Sequence, residues 1–406
     1  MNTLAIDPLF TGGQVDPTTL LIVIVKTVVV FAVLLVGVMF YVWFMRKVIA
    51  VMQNRVGPKR AGPFGALQTL ADGIKLFFKE QSIPDSADES VFRLAPYLSI
   101  MPAFIAFSIV PIGGTVWMFG ERTRLQLADP AIGVLLLLAM SGIGLYGVML
   151  AGWSSGSKYP LLGSVRASAQ LLSYEAILGL SIVGVLFMSN SLETSKIVAD
   201  QKWTGIGSML NWNVVPLFLF FVLFIIAAIG ETNHPPFDLV EAEQELVGGF
   251  HTEYTGIRFA IFFLAEFMNV ITMSAIAVTL FLGGPAGPKF PGVSASNVVN
   301  TWLMPIFWFT LKLLILLFCT VWVRASLPRL RYDQLMRLSW KVLIEVAFLA
   351  VLFTIVVLVG HDQRWNLWLV LPAALVGAVA LFGILRLCMP RADEPRDDFE
   401  SLHGAA

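Results

Sequence analysis

The chain has 406 residues, of which 57% are hydrophobic and 13% are charged, and its 27 basic side chains balance 27 acidic ones. Soluble domains carry about one quarter charged residues, so this composition indicates a polytopic membrane protein rather than a soluble domain. The balanced charge gives no reason to expect a nucleic-acid partner, and two cysteines are too few for an iron–sulfur cluster or a disulfide framework.

Long apolar segments dominate the chain. A helix needs about 20 mostly apolar residues to cross the hydrocarbon core of a bilayer. By that measure the sequence predicts an all-α fold, a polytopic transmembrane helical bundle with eight core spans and a ninth C-terminal span. The predicted spans cover 20–45, 95–119, 131–151, 171–190, 213–230, 258–282, 301–325, 339–360 and 367–388. We interpret the first as a retained span, because it lacks the basic leader and the cleavage-site pattern of a signal peptide.

The segment after the first span predicts an amphipathic helix over 64–79 in the first cytoplasmic loop. Its polar residues recur every three or four positions, at Gln68, Asp72, Lys75 and Lys79. Apolar side chains occupy the rest of the circumference, so the helix is expected at the membrane interface or packed on the bundle. The preceding stretch, 54–65, contains too many Gly and Pro residues to continue the first span.

The connecting segments differ in their Lys and Arg content. Segments 46–94, 152–170, 231–258, 324–341 and 386–406 carry 19 of these residues, whereas the alternate segments carry 6. Because cytoplasmic loops are enriched in Lys and Arg, this difference predicts an N-terminus outside the cell and a C-terminus in the cytoplasm. We predict a single membrane domain over 1–389 and a polar, disordered cytoplasmic tail over 390–406.

Several charged residues fall inside the predicted spans. Glu175 lies four residues inside the start of the fourth span, and Glu266 lies in the middle of the sixth. A charge at membrane depth costs about 2.5–3.5 kcal/mol, so such carboxyls are expected to face inward, pair or take up a proton. The alternative role is a structural hydrogen bond between helices. Lys26 is expected to extend towards the interface, and Glu345 to pair with Lys341, its neighbour four positions earlier.

The segment between the fifth and sixth spans is strongly acidic. Residues 231–254 contain six carboxylates and no Lys or Arg. The carboxylates are Glu231, Asp238, Glu241, Glu243, Glu245 and Glu253. One alternative is an ordinary solvated surface, but apolar residues interleave with the acids and give the segment a surface to bury. Crowded carboxylates repel one another, so some should titrate near neutrality, and the sequence predicts a water-filled cavity that accepts protons.

Histidines in this segment do not predict a metal site. His234 and His251 lie seventeen residues apart, with no third ligand at helical spacing. The His234-Pro-Pro sequence instead predicts the end of the fifth helix and a turn of the chain.

Two long motifs resemble the signatures of one known family. The first is Gln53-Asn-Arg-Val-Gly-Pro-Lys-Arg-Ala-Gly-Pro-Phe-Gly65, followed by the helical segment 67–80. The second is Pro236-Phe-Asp-Leu-Val-Glu-Ala-Glu-Gln-Glu-Leu-Val-Gly-Gly-Phe-His-Thr-Glu-Tyr254, continuing to 265–267. Both resemble the membrane subunit at the quinone site of bacterial proton-pumping NADH:quinone oxidoreductase, respiratory complex I, where it is called the H subunit. The similarity covers about 20–360, and the ninth span lies outside this core.

The resemblance implies a role for each matching position. Quinone-tunnel positions would be Arg46, Asp72, His234 and Phe237. Proton-coupling positions would be Glu175, Glu231, Asp238, Glu241, Glu243, Glu245, Glu253 and Glu266. The chain would be an enzyme subunit, a translocase component, with no redox centre and no bond-breaking residue of its own.

The resemblance also implies the molecules that surround the chain. Quinone would be the substrate at a subunit interface, and flavin and iron–sulfur clusters would belong to partner subunits. The partners would be the peripheral-arm quinone-site subunits with the terminal iron–sulfur cluster, small membrane subunits, antiporter-like subunits and lipid. The location would be the bacterial cell membrane.

Two positions depart from the family pattern, and two other functions stay open. Met45 precedes Arg46 where relatives usually carry Glu, and His234 stands near the Pro-Phe-Asp motif where relatives often carry Arg. One alternative function is the homologous anchor subunit of a membrane-bound nickel–iron hydrogenase or an F420-type dehydrogenase. The other is a stand-alone cation transporter, which would transport ions as a purified chain in liposomes.

Overall fold

The computed structural model describes residues 17–119, 121–201, 211–238, 247–289 and 297–363, together with 372, 376 and 377. The polar tail, Glu241, Glu243 and Glu245 lie outside these described residues, as does the predicted ninth span apart from three positions. Among the residues that the structure describes, seven helices are long and apolar enough to cross a membrane. The chain is therefore a multi-pass membrane protein, and the predicted all-α bundle is confirmed.

The helices follow one another as α1 (Pro17–Met52), α2 (Gln68–Phe78), α3 (Glu89–Ser108), α4 (Gly133–Ser154), α5 (Lys158–Ser189), α6 (Thr194–Asp200), α7 (Phe218–Glu231), α8 (Gly256–Phe281), α9 (Met304–Ser326), α10 (Tyr332–Leu338) and α11 (Ile344–Asp362). Two strands, β1 (Thr115–Met118) and β2 (Glu121–Arg124), form an antiparallel hairpin. Short 3₁₀ turns cover Pro63–Gly65 and Gly249–His251, and π turns at Val299–Leu303 and Ser339–Leu343 lead into α9 and α11. The chain divides into two compact units, Met1–Ala347 and Phe348–Ala406.

Small residues allow α3, α4 and α5 to pack closely in the first unit. A Cβ atom added at Gly147 of α4 would lie 2.7 Å from the backbone nitrogen of Ser99 in α3. A Cβ added at Gly152 would collide with the carbonyl oxygen of Pro160 in α5. Close approach of backbones through small residues is a principal way in which membrane helices associate. These three helices therefore form a tightly interlocked group.

The second predicted span is wrong at its C-terminal end. The sequence predicted helix to 119, but α3 ends at Ser108 and the chain continues into the hairpin. Pro111 lacks a backbone N–H donor and is followed by Gly113 and Gly114, which favour a turn over a helix.

The predicted position of the Lys26 side chain is wrong, because this side chain contacts the hairpin. Lys26 does not extend towards the interface but is buried, and its Nζ donates to Thr123 Oγ1 at 2.5 Å and to the Gln126 carbonyl at 3.4 Å. Strand β2 and the residues after it supply the oxygen acceptors that the amine would otherwise find in water. The sequence did not reveal these acceptors because they lie about a hundred residues away along the chain.

Two predicted helix starts differ from the structure. Helix α5 begins at Lys158 instead of 171, so Glu175 lies near the middle of a 32-residue helix. The buried Gln170 of α5 finds hydrogen-bond partners inside the protein, so this polar residue does not end the helix. The amphipathic helix begins at Gln68 instead of 64, because Phe64 and Gly65 adopt positive φ angles of 55° and 78°.

Two further predictions differ in detail. The fifth span, predicted over 213–230, is the shorter helix α7, which ends at Glu231 before the His234-Pro-Pro sequence.

The predicted pairing of Glu345 with Lys341 is wrong. Both carboxylate oxygens of Glu345 are buried and have no hydrogen-bond partner among the described residues. Lys341 belongs to a π turn, which changes the angular spacing that a regular helix would give this pair.

Candidate functional site

A cavity lies among α3, α4, α5, α7, α8 and the Gly249–His251 turn. Together with the solvent at its mouth it contains about 1030 Å³ of empty space. Most lining residues are apolar, but three carboxylates reach it, Glu175 from α5, Glu231 from α7 and Glu266 from α8. The structure therefore brings together three of the carboxylates that the sequence singled out, each from a different helix.

Glu231 and Glu175 lie beside successive residues of α4, Ser141 and Gly142. Glu231 is the last residue of α7, and its Oε1 accepts a hydrogen bond from Ser141 Oγ, whereas its Oε2 has no partner in the described part of the chain. Glu175 Oε1 lies 3.2 Å from the place where a Cβ on Gly142 would stand. The missing side chain at Gly142 thus makes room for one carboxylate next to the serine that holds the other. The two carboxylates are close enough to interact electrostatically.

Glu266 connects the cavity to the turn that follows α7. His234, in that turn, is buried, and its Nδ1 lies 3.0 Å from Glu266 Oε1. The imidazole also packs edge-on against the Phe267 ring, with 5.4 Å between centroids. The protonation state of a histidine decides whether such a contact joins two charges or one. Glu266 therefore faces both the cavity and a group that can change charge.

Gln170 of α5 fixes the turn after α7. Its Nε2 donates to the carbonyl oxygens of Gly230 at 2.9 Å and of Phe237 at 2.7 Å. Tyr174, one helical turn further along α5, packs against Phe237 with 5.2 Å between ring centroids. The backbone at Gly230 passes so close that an added Cβ would lie 2.6 Å from the Tyr174 ring. Helix α5 thus holds both ends of the turn that carries His234.

Aromatic residues support the Gly249–His251 turn. The Tyr254 ring stacks on Phe92 of α3, with 3.9 Å between centroids and 5° between planes, and its hydroxyl donates to the Phe92 carbonyl at 3.2 Å. Burial raises the pKa of Tyr254 to about 12, so this phenol remains a neutral hydrogen-bond donor at physiological pH. The packing places His251 at the cavity wall.

Sequence reasoning missed two residues of this site. Gln170 fell just outside the predicted fourth span, and only its tertiary contacts reveal its role. His251 was considered only as a metal ligand. Among the described residues no three His, Cys, Asp or Glu side chains come together in an arrangement that would hold a metal ion.

Two predicted proton-coupling residues do not reach the cavity. Asp238 lies beside Arg329, whose Nη2 donates to the Asp238 carbonyl and stands 3.5 Å from its Oδ1. Glu253 is partly exposed between the Gly249–His251 turn and α8 and does not line the cavity. The acidic segment thus contributes to more than one place in the molecule.

Comparison with known proteins identifies the family. The NADH dehydrogenase family model matches residues 25–355, most of the chain. The chain belongs to this family. One relative is the H subunit of NADH-quinone oxidoreductase from Frankia alni, 50% identical over 383 residues that cover 94% of this chain and 82% of the relative. Another is the H subunit of NADH-quinone oxidoreductase from Frankia casuarinae, 51% identical over 383 residues with the same two coverages. The family expected from the two motifs is confirmed.

The remaining tunnel residues predicted for this NADH dehydrogenase family member lie at the contact between α1 and α2. Arg46 Nη1 donates to Asp72 Oδ2 at 2.8 Å, and Gln68 Nε2 donates to Asp72 Oδ1 at 3.2 Å. Partial burial alone would raise the pKa of the Asp72 carboxyl, but the hydrogen bonds from Arg46 and Gln68 and the charges of Arg46 and Lys75 outweigh it. The pKa of Asp72 is therefore held below its ordinary value.

The Met45 departure from the family pattern has a specific contact. Met45 is buried, and Arg324 Nη1 of α9 donates to its sulfur at 3.3 Å. A thioether is a weak acceptor without charge, so the Arg324 charge is not neutralised by this neighbour. The glutamate that the family resemblance leads us to expect at this position would place a carboxylate beside Arg324.

Proposed function

We propose that this chain is the membrane subunit of a proton-translocating NADH:quinone oxidoreductase, where it forms part of the quinone-binding tunnel and couples quinone reduction to proton translocation. Membership of the NADH dehydrogenase family, and two relatives named as the H subunit of that enzyme, support the assignment to the complex. The observation that carries the coupling role is the convergence of Glu175, Glu231 and Glu266 on one cavity.

The coupling role follows from the chemistry of quinone reduction. Reduction of a quinone to a quinol takes up two electrons and two protons, so it changes the charge of the groups that supply those protons. Carboxylates that share a poorly solvated space titrate together, and a proton gained at one changes the proton affinity of the next. The proposal is supported by Glu175 and Glu231, which lie beside neighbouring residues of α4, and by the 3.0 Å contact of His234 with Glu266, which lines the same cavity.

The proposal also assigns roles to predicted site residues that do not line this cavity. Arg46, Asp72, His234 and Phe237 would belong to the quinone tunnel, and Asp238, Glu241, Glu243, Glu245 and Glu253 to the acidic segment that leads towards the cavity. Electrons would reach quinone from an iron–sulfur cluster of a peripheral-arm subunit. The N-terminus would lie outside the cell and the C-terminus in the cytoplasm.

Replacement of Glu231 by Gln in the complete complex tests this function. Glutamine keeps the shape and accepts the Ser141 hydrogen bond but cannot take up a proton, so we expect both NADH:quinone turnover and proton pumping in membrane vesicles to fall several-fold. The matched control is Glu121→Gln, because Glu121 is exposed on β2 and does not line the cavity. NADH oxidation by an artificial acceptor that bypasses quinone measures how much complex is present.

A second variant tests the acidic segment itself. Glu241 and Glu243 replaced together by Gln should reduce quinone turnover and pumping relative to artificial-acceptor activity. Unimpaired turnover and pumping in both this variant and Glu231→Gln would contradict the coupling role. Co-purification with a nickel-containing partner would contradict the assignment to a quinone-reducing complex.

A further inference from the structure

An apolar groove runs along the surface of α1 beside the Pro63–Gly65 turn. Seven of its eight lining residues are apolar, among them Val48, Val51, Phe64 and Phe318, and the exception is Lys47. Together with open solvent the groove contains about 1090 Å³ of empty space. The side chains remain open to their surroundings, with Val51 73% and Phe64 81% exposed. A continuous apolar surface of this kind marks contact with a lipid or a protein.

The turn that forms one wall of the groove is held in an unusual conformation. Phe64 has a φ of 55°, a region that bulky residues rarely occupy, and Trp43 Nε1 of α1 donates to its carbonyl oxygen at 3.2 Å. Gly65 follows with a φ of 78°, and a Cβ there would lie 2.9 Å from the Lys59 nitrogen and closer still to the Pro58 carbonyl. These contacts hold the backbone of the turn in place, and the Phe64 ring lines the groove.

Positive charge is concentrated at the same place. Residues 47–71 contain Lys47, Arg55, Lys59 and Arg60 and no Asp or Glu. The Lys47 side chain packs near Gly57, with its Cδ 3.2 Å from the position of an added Cβ, so its stem touches the loop that carries the other three cations. None of these four cations forms an ion pair with a described residue. Their positive charge is therefore not neutralised by a carboxylate among the described residues.

We propose that this groove binds a phospholipid with an anionic headgroup. An acyl chain would lie against Val48, Val51 and Phe64, and the phosphate would lie beside Lys47 and the loop that carries Lys59. Basic residues near a membrane attract anionic lipid headgroups. The Lys and Arg distribution predicts that this loop faces the cytoplasmic leaflet. A quinone would match the apolar wall, but its neutral headgroup would gain little from four uncompensated cations.

Photo-crosslinking tests the proposed occupant. The purified complete complex is reconstituted in phosphatidylcholine vesicles that contain phosphatidylglycerol with a diazirine on one acyl chain. We expect crosslinks in the peptides that contain Val48, Val51 and Phe64. Phosphatidylcholine with the same photoreactive chain should label these peptides several-fold less.

Variants separate the charged and the apolar parts of the site. The double variant Lys47→Gln/Lys59→Gln should reduce phosphatidylglycerol labelling to the phosphatidylcholine level, and Val48→Trp should block labelling by both lipids because it fills the groove. The matched charge control is Arg122→Gln/Lys196→Gln, which removes two exposed cations that lie away from the groove and should leave labelling unchanged. Artificial-acceptor activity shows that each variant complex is intact.

Two results would overturn the proposal. Equal labelling of the wild-type groove by the two lipids would show apolar contact without recognition of an anionic headgroup. Labelling of the same peptides by a photoreactive quinone, with none by phosphatidylglycerol, would assign the groove to quinone. Neither result depends on the proton-coupling role of the cavity carboxylates, so this test and the test of the proposed function can fail separately.

Discussion

Replacement of Gln170 by Met tests whether α5 holds the turn that follows α7. The Gln170 Nε2 donates to two carbonyl oxygens, of Gly230 and Phe237, and Met has a similar size but no N–H donor. Each buried carbonyl that loses its partner costs about 1–3 kcal/mol. The wild-type Gln170 Oε1 atom has no partner in the described part of the chain. Its removal therefore stabilises the variant by about the same amount as one lost carbonyl partner destabilises it. The net loss in the free energy of unfolding should be about 1–3 kcal/mol.

The assay is thermal inactivation of NADH:quinone turnover in native membranes, normalised to artificial-acceptor activity. The matched control is Gln201→Met, because the buried Gln201 Nε2 donates to the carbonyls of Leu280 at 3.1 Å and Thr279 at 3.3 Å near the C-terminal end of α8. Both variants should inactivate at lower temperature. Only Gln170→Met should also lower quinone turnover at a permissive temperature, since its turn carries His234. An unchanged inactivation temperature for Gln170→Met, or an equal loss of turnover in both variants, would refute this reasoning.

Three further predictions concern other positions. Gly65→Ala should lower the inactivation temperature, because a Cβ there collides with Pro58; wild-type stability would mean that the turn can relax. The pKa of Asp72 is lowered below its ordinary value of 3.8. The ionised carboxylate therefore stabilises the folded protein fully above pH 3.8, and this stabilisation is lost as the pH falls through the lowered pKa. The difference in unfolding temperature between wild type and Asp72→Asn in purified complex should therefore shrink below pH 3.8, and it should correspond to less than about 1 kcal/mol because the pair is partly exposed; a pH-independent difference would contradict this. Glu345→Met should raise the inactivation temperature, since it removes two buried oxygens without partners among the described residues; a decrease would show that the carboxyl has a stabilising contact in the complete complex.

The sequence predicted most spans because length and hydrophobicity are local properties. It failed where a distant segment decides the structure. Lys26 can be buried because a hairpin near residue 123 supplies its hydrogen-bond acceptors. Gln170 can lie inside helix α5 because its amide donates to the carbonyl oxygens of Gly230 and Phe237. Neither partner can be read from the residues nearby.

The candidate site was partly accessible from the sequence. The energetic penalty of a charge in a bilayer led us to expect that Glu175 and Glu266 face inward, and both line the cavity. The spacing of the carboxylates along the sequence could not predict that Glu231 reaches the cavity whereas Asp238 lies beside Arg329. These two carboxylates are seven positions apart along the chain, and the turn that α5 holds between them directs them to different places.

The close packing at the glycines limits how this part of the protein can transmit a signal. Helices α3, α4 and α5 interlock at Gly147 and Gly152, and α7 touches α5 at Gly230 with no space for a methyl group. Sliding of one of these helices past another would force backbone atoms together. Glu175 and Glu231 are therefore carried by closely packed helices, and under the proposed function a change in their proton occupancy would not require those helices to move. In that proposal, a redistribution of charge and not the sliding of helices would carry the coupling across this region.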